Sequence, residues 1–141
     1  MSSARTLGAA PETVWHVASD PWRLPAWWPG VERVEQVDAG AWTAVLSSPK
    51  GRTIRADFTR LAAEPARLLA WRQELAGSPF DRVLSESVTA LLLEPGDGGG
   101  THVELKLRNR TRGLARLGSL QMGAAMRRQL DAALDGLEAL V

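Results

Sequence analysis

The chain contains no cysteine and no tyrosine, and its 141 residues include two histidines and two phenylalanines. Without cysteine there is no disulfide, no thiolate metal site and no thiol nucleophile. Without tyrosine a common catalytic acid is missing. His16 and His102 lie far apart in the sequence, and neither sits in a metal-ligand pattern. An excess of one charge is lacking too. Seventeen basic residues against 16 acidic ones leave a formal net charge of +1, which argues against a bulk nucleic-acid binder. No apolar run reaches the ~18 residues needed to span a bilayer, and the segment Met1-Ser2-Ser3-Ala4-Arg5 has no signal-peptide core. The expectation is a soluble, cytoplasmic protein with one domain over residues 1–141, and with neither metal nor cofactor.

What the chain does have is tryptophan. Three of its six tryptophans and three of its eight prolines fall in the eleven residues from Asp20 to Gly30. Prolines at this density forbid a long helix, because each lacks an N–H and restricts the residue before it. A disordered linker is equally excluded, since each indole has ~150–250 Å² of surface that it can bury. The segment reads as a short, rigid aromatic turn lying over something apolar.

The rest of the chain follows from its periodicity. Residues 3–8 suit an edge strand, and Pro11 opens a helix ending at Asp20-Pro21. From Val31 the period becomes two, although Val31, Glu35 and Val37 oppose Glu32, Val34 and Gln36 without a clean apolar face. Strands follow at 41–46, at 53–61 with Ile54, Ala56 and Phe58 on one side, and at 67–75 with Leu69, Trp71, Gln73 and Leu75 together. Phe80 to Glu94 reads as a long strand. The last strand, Thr101 to about Arg110, alternates most clearly, with Val103, Leu105 and Leu107 on one face. The tail from about Gly113 is helical, with a stripe of Met126, Leu130, Ala133, Leu134 and Leu137. Short turns between strands imply an antiparallel sheet, and helices at both ends make the class α+β.

Several of these residues carry a resemblance. Ala10-Pro11 with Val14-Trp15, then Asp20, Leu24-Pro25, Trp27, Pro29 and Val31, then Glu94-Pro95 ahead of Gly100-Thr101 and a leucine-rich terminal helix, resemble the SRPBCC superfamily. This is the START or pollen-allergen-like helix-grip group, and the chain is most similar to its bacterial polyketide cyclase/dehydrase-like branch. The resemblance covers essentially the whole chain. It implies a curved seven-stranded antiparallel sheet wrapped around a long C-terminal helix, with two short helices between strands 1 and 2. It also implies a hydrophobic cavity that takes a lipid, polyketide or isoprenoid type of molecule.

Periodicity alone assigns the aromatic residues to a filled core. The resemblance assigns Trp27, Trp28, Trp42, Phe58, Trp71, Phe80, Met122 and Met126 to the cavity wall instead, with Leu130 and Glu86 completing the expected ligand-binding set. The small residues Gly118, Ser119, Gly123, Ala124 and Ala125 leave room against the sheet. An enzyme reading needs a polar pair inside the cavity, drawn from Arg55, Asp57, Arg72, Glu74, Arg82 and Glu86. The competing reading puts these on the outer, wet face. No other catalytic set assembles from the sequence. Basic residues gather between Lys106 and Arg128, fitting either a solvated face or a docking patch for an anionic partner. Nucleic acid is not expected, since no aromatic residues interleave with these charges. Leu114 and Leu117 beside them would serve as a gate or as the contact of a homodimer.

Overall fold

A computed structural model describes the backbone of residues 1–113 and 119–141, with side chains for 1–113 and 123–141. Strand β1 (Ser2–Leu7) leads to helix α1 (Pro11–Ala18), a 3₁₀ turn over Pro21–Arg23 and the short helix α2 (Leu24–Trp27). Six strands follow: β2 (Val31–Asp38), β3 (Ala41–Ser47), β4 (Thr53–Glu64), β5 (Leu68–Glu74), β6 (Leu84–Pro95) and β7 (Thr101–Thr111). Helix α3 (Ser119–Leu140) closes the chain. All pairings are antiparallel, in the order β1-β7-β6-β5-β4-β3-β2, so consecutive strands are neighbours and β1 joins the far edge. This is the expected helix-grip architecture.

The core lies between the inner face of the sheet and α3. Leu130, Ala133, Leu134 and Leu137 are completely buried there, in one cluster with Leu91, Val103 and Leu105. The helix is tied laterally to β1, where Arg5 pairs with Asp135 and Ser3 donates to Asp131. The expected stripe thus faces inward, with Met126 half-buried at its edge.

Strand β2 shows why its sequence alternates poorly. The register shifts between Val31 and Arg33 and again between Glu35 and Asp38, and Gln36 has φ = 54°. One irregularity puts residues three apart on the same side, so Val31 and Val34 are both buried.

The proline-rich turn is held at both ends. The Asp20 carboxylate accepts from the Trp22 amide at 3.0 Å, capping the 3₁₀ turn, and Pro21 occupies its first position, where an N–H is dispensable. Arg60 of β4 donates through Nη2 to the Ser19 carbonyl at 2.7 Å, binding the end of α1 to the sheet. At the other end α2 lies directly on α3. A Cβ placed on Gly136 would sit 2.5 Å from the Trp27 carbonyl oxygen, so glycine is what allows this approach. The Trp27 side chain is buried to 3% exposure, whereas Trp22 is 59% exposed.

Candidate functional site

Beneath the turn the core is incomplete. A cavity of about 220 Å³ lies between the inner face of the sheet, α2 and α3. Its apolar wall comprises Leu24 and Trp28 from the turn, Val31, Trp42, Ala44, Leu46, Phe58 and Trp71 from β2 to β5, and Phe80, Leu84 and Leu107. The aromatic part is a connected set. Trp28 meets Trp71 edge to face at 5.8 Å, Trp71 meets Trp42 at 6.2 Å, and Trp42 stacks on Phe58 at 5.8 Å with the rings 13° apart. These geometries suit aromatic quadrupoles and hold the wall rigid without filling the space. Phe80 is placed by a 3₁₀ turn, where Ser78 Oγ accepts from the Phe80 amide at 3.2 Å and donates to the Leu75 carbonyl at 2.7 Å.

The rest of the lining is polar and uncharged: Gln73, Ser87, Thr89, Asn109 and Gln129. Among the described residues no carboxylate, arginine, lysine or histidine faces the cavity. Sequence reasoning missed this polar group as a site. Gln73 and Asn109 continue the inward phases of Trp71 and Leu107, so counting by two along β5 and β7 would have found them.

Five of the residues named from sequence, Trp28, Trp42, Phe58, Trp71 and Phe80, meet at this cavity. Trp27 does not line it but supports it, buried with its ring 5.4 Å from Trp28. Leu130 belongs to the filled core beneath. Met126 lies beside a surface hollow with Met1 and Gly123, its sulfur 3.7 Å from Asn109 Nδ2. The Met122 side chain falls outside the described residues, as do Leu114 and Leu117.

Glu86 requires a correction. It stands on the outer face, where its carboxylate accepts from Arg108 at 2.6 Å and pairs with Arg110 at 3.0 Å. Alternation from Leu91 through Thr89 and Ser87 turns Glu86 outward, and a register shift follows between Glu86 and Leu84. Both Leu84 and Ser87 therefore point inward, and the glutamate between them is turned out.

The other arginine–carboxylate pairs are also external. Arg72 bonds Glu74 at 2.9 Å, and Arg55 bonds Glu35 at 3.0 Å, with the arginines more than half exposed. Asp57 accepts from Thr43 Oγ1 at 2.6 Å on the same face. None of Arg55, Asp57, Arg72, Glu74, Arg82 and Glu86 lines the cavity, so the described residues bring no arginine–carboxylate pair into it. The four cations of the basic stretch that lie on or just after β7 have partners as well: Lys106 pairs with Glu104 at 3.5 Å, Arg108 and Arg110 share Glu86, and Arg112 pairs with Asp81 at 3.6 Å. Local sequence shows no acid there because three of these four cations find theirs on other elements. Two larger hollows, of about 470 and 500 Å³, are open grooves on this ionic outer face.

Two of the outer carboxylates are perturbed. Hydrogen bonds from Arg33 and then Arg55 hold Glu35 below the ordinary carboxylate pKa, and Arg72, aided by Thr59, does the same for Glu74. A lowered pKa in the folded state means the stabilisation is present above the unfolded value and fades as pH falls through the folded one. In Arg33→Ala the Glu35 midpoint should rise toward its ordinary value. A carboxyl-carbon NMR titration reads this directly, and an unmoved midpoint would exclude Arg33 as the main cause.

Comparison with known proteins places the chain. Residues 1–141 match the family described as polyketide cyclase / dehydrase and lipid transport. The chain belongs to this family. Solved structures show the same fold in family-sized proteins. The Zhui aromatase/cyclase from Streptomyces sp. R1128 is 20% identical with a TM-score of 0.79, over 99% of this chain and 90% of that one. A Thermus thermophilus protein is 18% identical with a TM-score of 0.78, over 99% and 94%. A Deinococcus radiodurans protein is 24% identical with a TM-score of 0.67, over 97% and 90%. No curated protein matches the sequence. Among the described residues of this chain no metal-ligand cluster occurs, and no helix is long and apolar enough to cross a membrane.

Proposed function

We propose that this member of the polyketide cyclase/dehydrase and lipid transport family binds a small hydrophobic molecule of lipid, polyketide or isoprenoid type in the cavity beneath the tryptophan-rich turn. The observation that carries this reading is the unfilled space of about 220 Å³ walled by Trp28, Trp42, Phe58, Trp71 and Phe80. Interiors normally pack to the density of organic crystals, and an apolar cavity of about 150 Å³ already accommodates benzene. The aromatic wall supplies dispersion and area burial, while its ring-to-ring contacts keep it open before the ligand arrives.

The neutral dye N-phenyl-1-naphthylamine, which brightens in a dry environment, tests this. Wild-type protein should bind it saturably, and native mass spectrometry of the purified protein should show a retained small molecule or a dye adduct at one per chain. Leu46 lines the cavity and is half-buried, so Leu46→Trp places bulk into the space. That variant should keep its circular dichroism and lose about tenfold or more in dye affinity. Equal affinity in the folded variant would show that the dye binds elsewhere and sink the proposal.

A further inference from the structure

Across the inner face of the sheet, one row of side chains runs from β3 to β7. Trp42 is the register partner of Phe58, and Phe58 of Gln73. Ser87 is the register partner of Asn109. The pairing of β5 with β6 ends at Arg72 and Val88, and the same register carried one step further would set Gln73 opposite Ser87, both of which line the cavity. All five line the cavity. The row is therefore divided: two stacked aromatic rings at one end, and an amide, a hydroxyl and a second amide at the other.

Part of its hydrogen-bonding capacity is unspent. Five buried side-chain polar atoms have no partner among the described residues, and three of them, Trp42 Nε1, Gln73 Nε2 and Asn109 Oδ1, belong to this row. Asn109 Nδ2 has a methionine sulfur at 3.7 Å, a weak acceptor. A buried donor or acceptor without a partner is costly, so three along one row of a packed sheet call for one. These atoms are covered as the side chains stand. A rotation about the terminal side-chain torsion, which is broad and shallow for glutamine and asparagine, turns the two amides to an occupant. What the described lining lacks is charge. Arg72, Arg108 and Arg112 line an outer groove that Gln73 and Ser87 also border, but each is already paired with a carboxylate, so an anion in the cavity would lose its water with no free cation in the lining to replace it.

We propose that Gln73, Ser87 and Asn109 form the specificity-determining edge of the cavity, selecting an uncharged, flat molecule with a carbonyl or hydroxyl at one end and excluding carboxylates. This rests on the reading that the cavity binds a hydrophobic ligand, and it adds which end of that ligand is polar and that it carries no charge. The apolar body lies along Trp42 and Phe58, and the oxygen meets the amide–hydroxyl–amide edge.

Three nearly isosteric probes separate the possibilities: 2-ethylnaphthalene, 2-acetylnaphthalene and 2-naphthoate, measured by calorimetry at neutral pH. The ketone should bind about tenfold or more tighter than the carboxylate, and at least as tightly as the hydrocarbon, although the hydrocarbon escapes water more readily. In Gln73→Leu and, separately, Ser87→Ala, the preference should turn toward the hydrocarbon by about tenfold for the leucine variant and less for the alanine one. Hydrocarbon binding that persists in either variant reports an intact cavity. A wild-type protein that takes naphthoate as tightly as the ketone overturns the proposal. So does an unchanged ketone-to-hydrocarbon ratio in both variants. Failure of all three probes in wild type would defeat the cavity reading itself, and this one with it.

Discussion

Gly136→Ala is expected to destabilise the protein by about 2 kcal/mol, against the usual trend for a helix. Glycine within a helix costs roughly 1 kcal/mol relative to alanine, so the substitution alone should stabilise α3. Here the added carbon would lie 2.5 Å from the Trp27 carbonyl oxygen, 2.9 Å from its Cα and 3.1 Å from its carbonyl carbon. All three are backbone atoms, so no side chain can swing away, and either the helix or the turn must move. Overpacking of this kind costs about 1–3 kcal/mol, occasionally more. Gly123, on the same helix, is the internal control. A Cβ there meets the far end of the Met1 side chain at 3.3 Å, which can yield. Thermal unfolding should show Gly136→Ala lowered by roughly 5–10 °C and Gly123→Ala unchanged or raised. Equal behaviour of the two would mean that the contact between turn and helix is not tight.

Trp71→Ala should have the larger effect, a loss of about 3–5 kcal/mol, typical of deleting a buried large aromatic side chain. Trp71 is 5% exposed and touches both Trp28 and Trp42, so its removal takes away two edge contacts and the middle of the cavity wall. Small domains have about 5–15 kcal/mol in total, so the variant should unfold at much lower urea, with Trp71→Phe recovering part of the loss. A loss under ~1 kcal/mol would show that the neighbouring indoles collapse into the space. Should enough Trp71→Ala remain folded, N-phenyl-1-naphthylamine should bind it more weakly than wild type, since the ring on which an occupant would rest is gone.

How far the sequence led differs between elements for physical reasons. The turn from Asp20 to Gly30 was legible because proline and tryptophan restrict the backbone and demand burial locally. The buried face of α3 and the inward phase of β7 were legible because their periods run unbroken. Strand β2 was ambiguous because two irregularities reset its phase. Glu86 entered the expected cavity through the resemblance, against the alternation of its own strand, and only the inward turn of Leu84 depends on the shift in pairing with β7. Counting backward from Leu93 and Leu91 gives Thr89 and Ser87 inward and Glu86 outward. The ion pairs of Arg108, Arg110 and Arg112 and the row from Trp42 to Asn109 depend on register between strands distant in sequence. No local window contains that information.

The three indoles around the cavity have an optical consequence. Trp28, Trp71 and Trp42 lie with ring centroids 5.8 Å and 6.2 Å apart, at interplanar angles of 73° and 63°. Transition dipoles held this close and oblique couple to one another, and coupled chromophores in a fixed chiral arrangement give strong near-ultraviolet ellipticity. With no tyrosine in the chain, that band comes almost wholly from tryptophan. A ring inserted against Trp42, or a small tilt of Trp28, changes the coupling geometry, so an unlabelled protein signals an occupied cavity through its own spectrum.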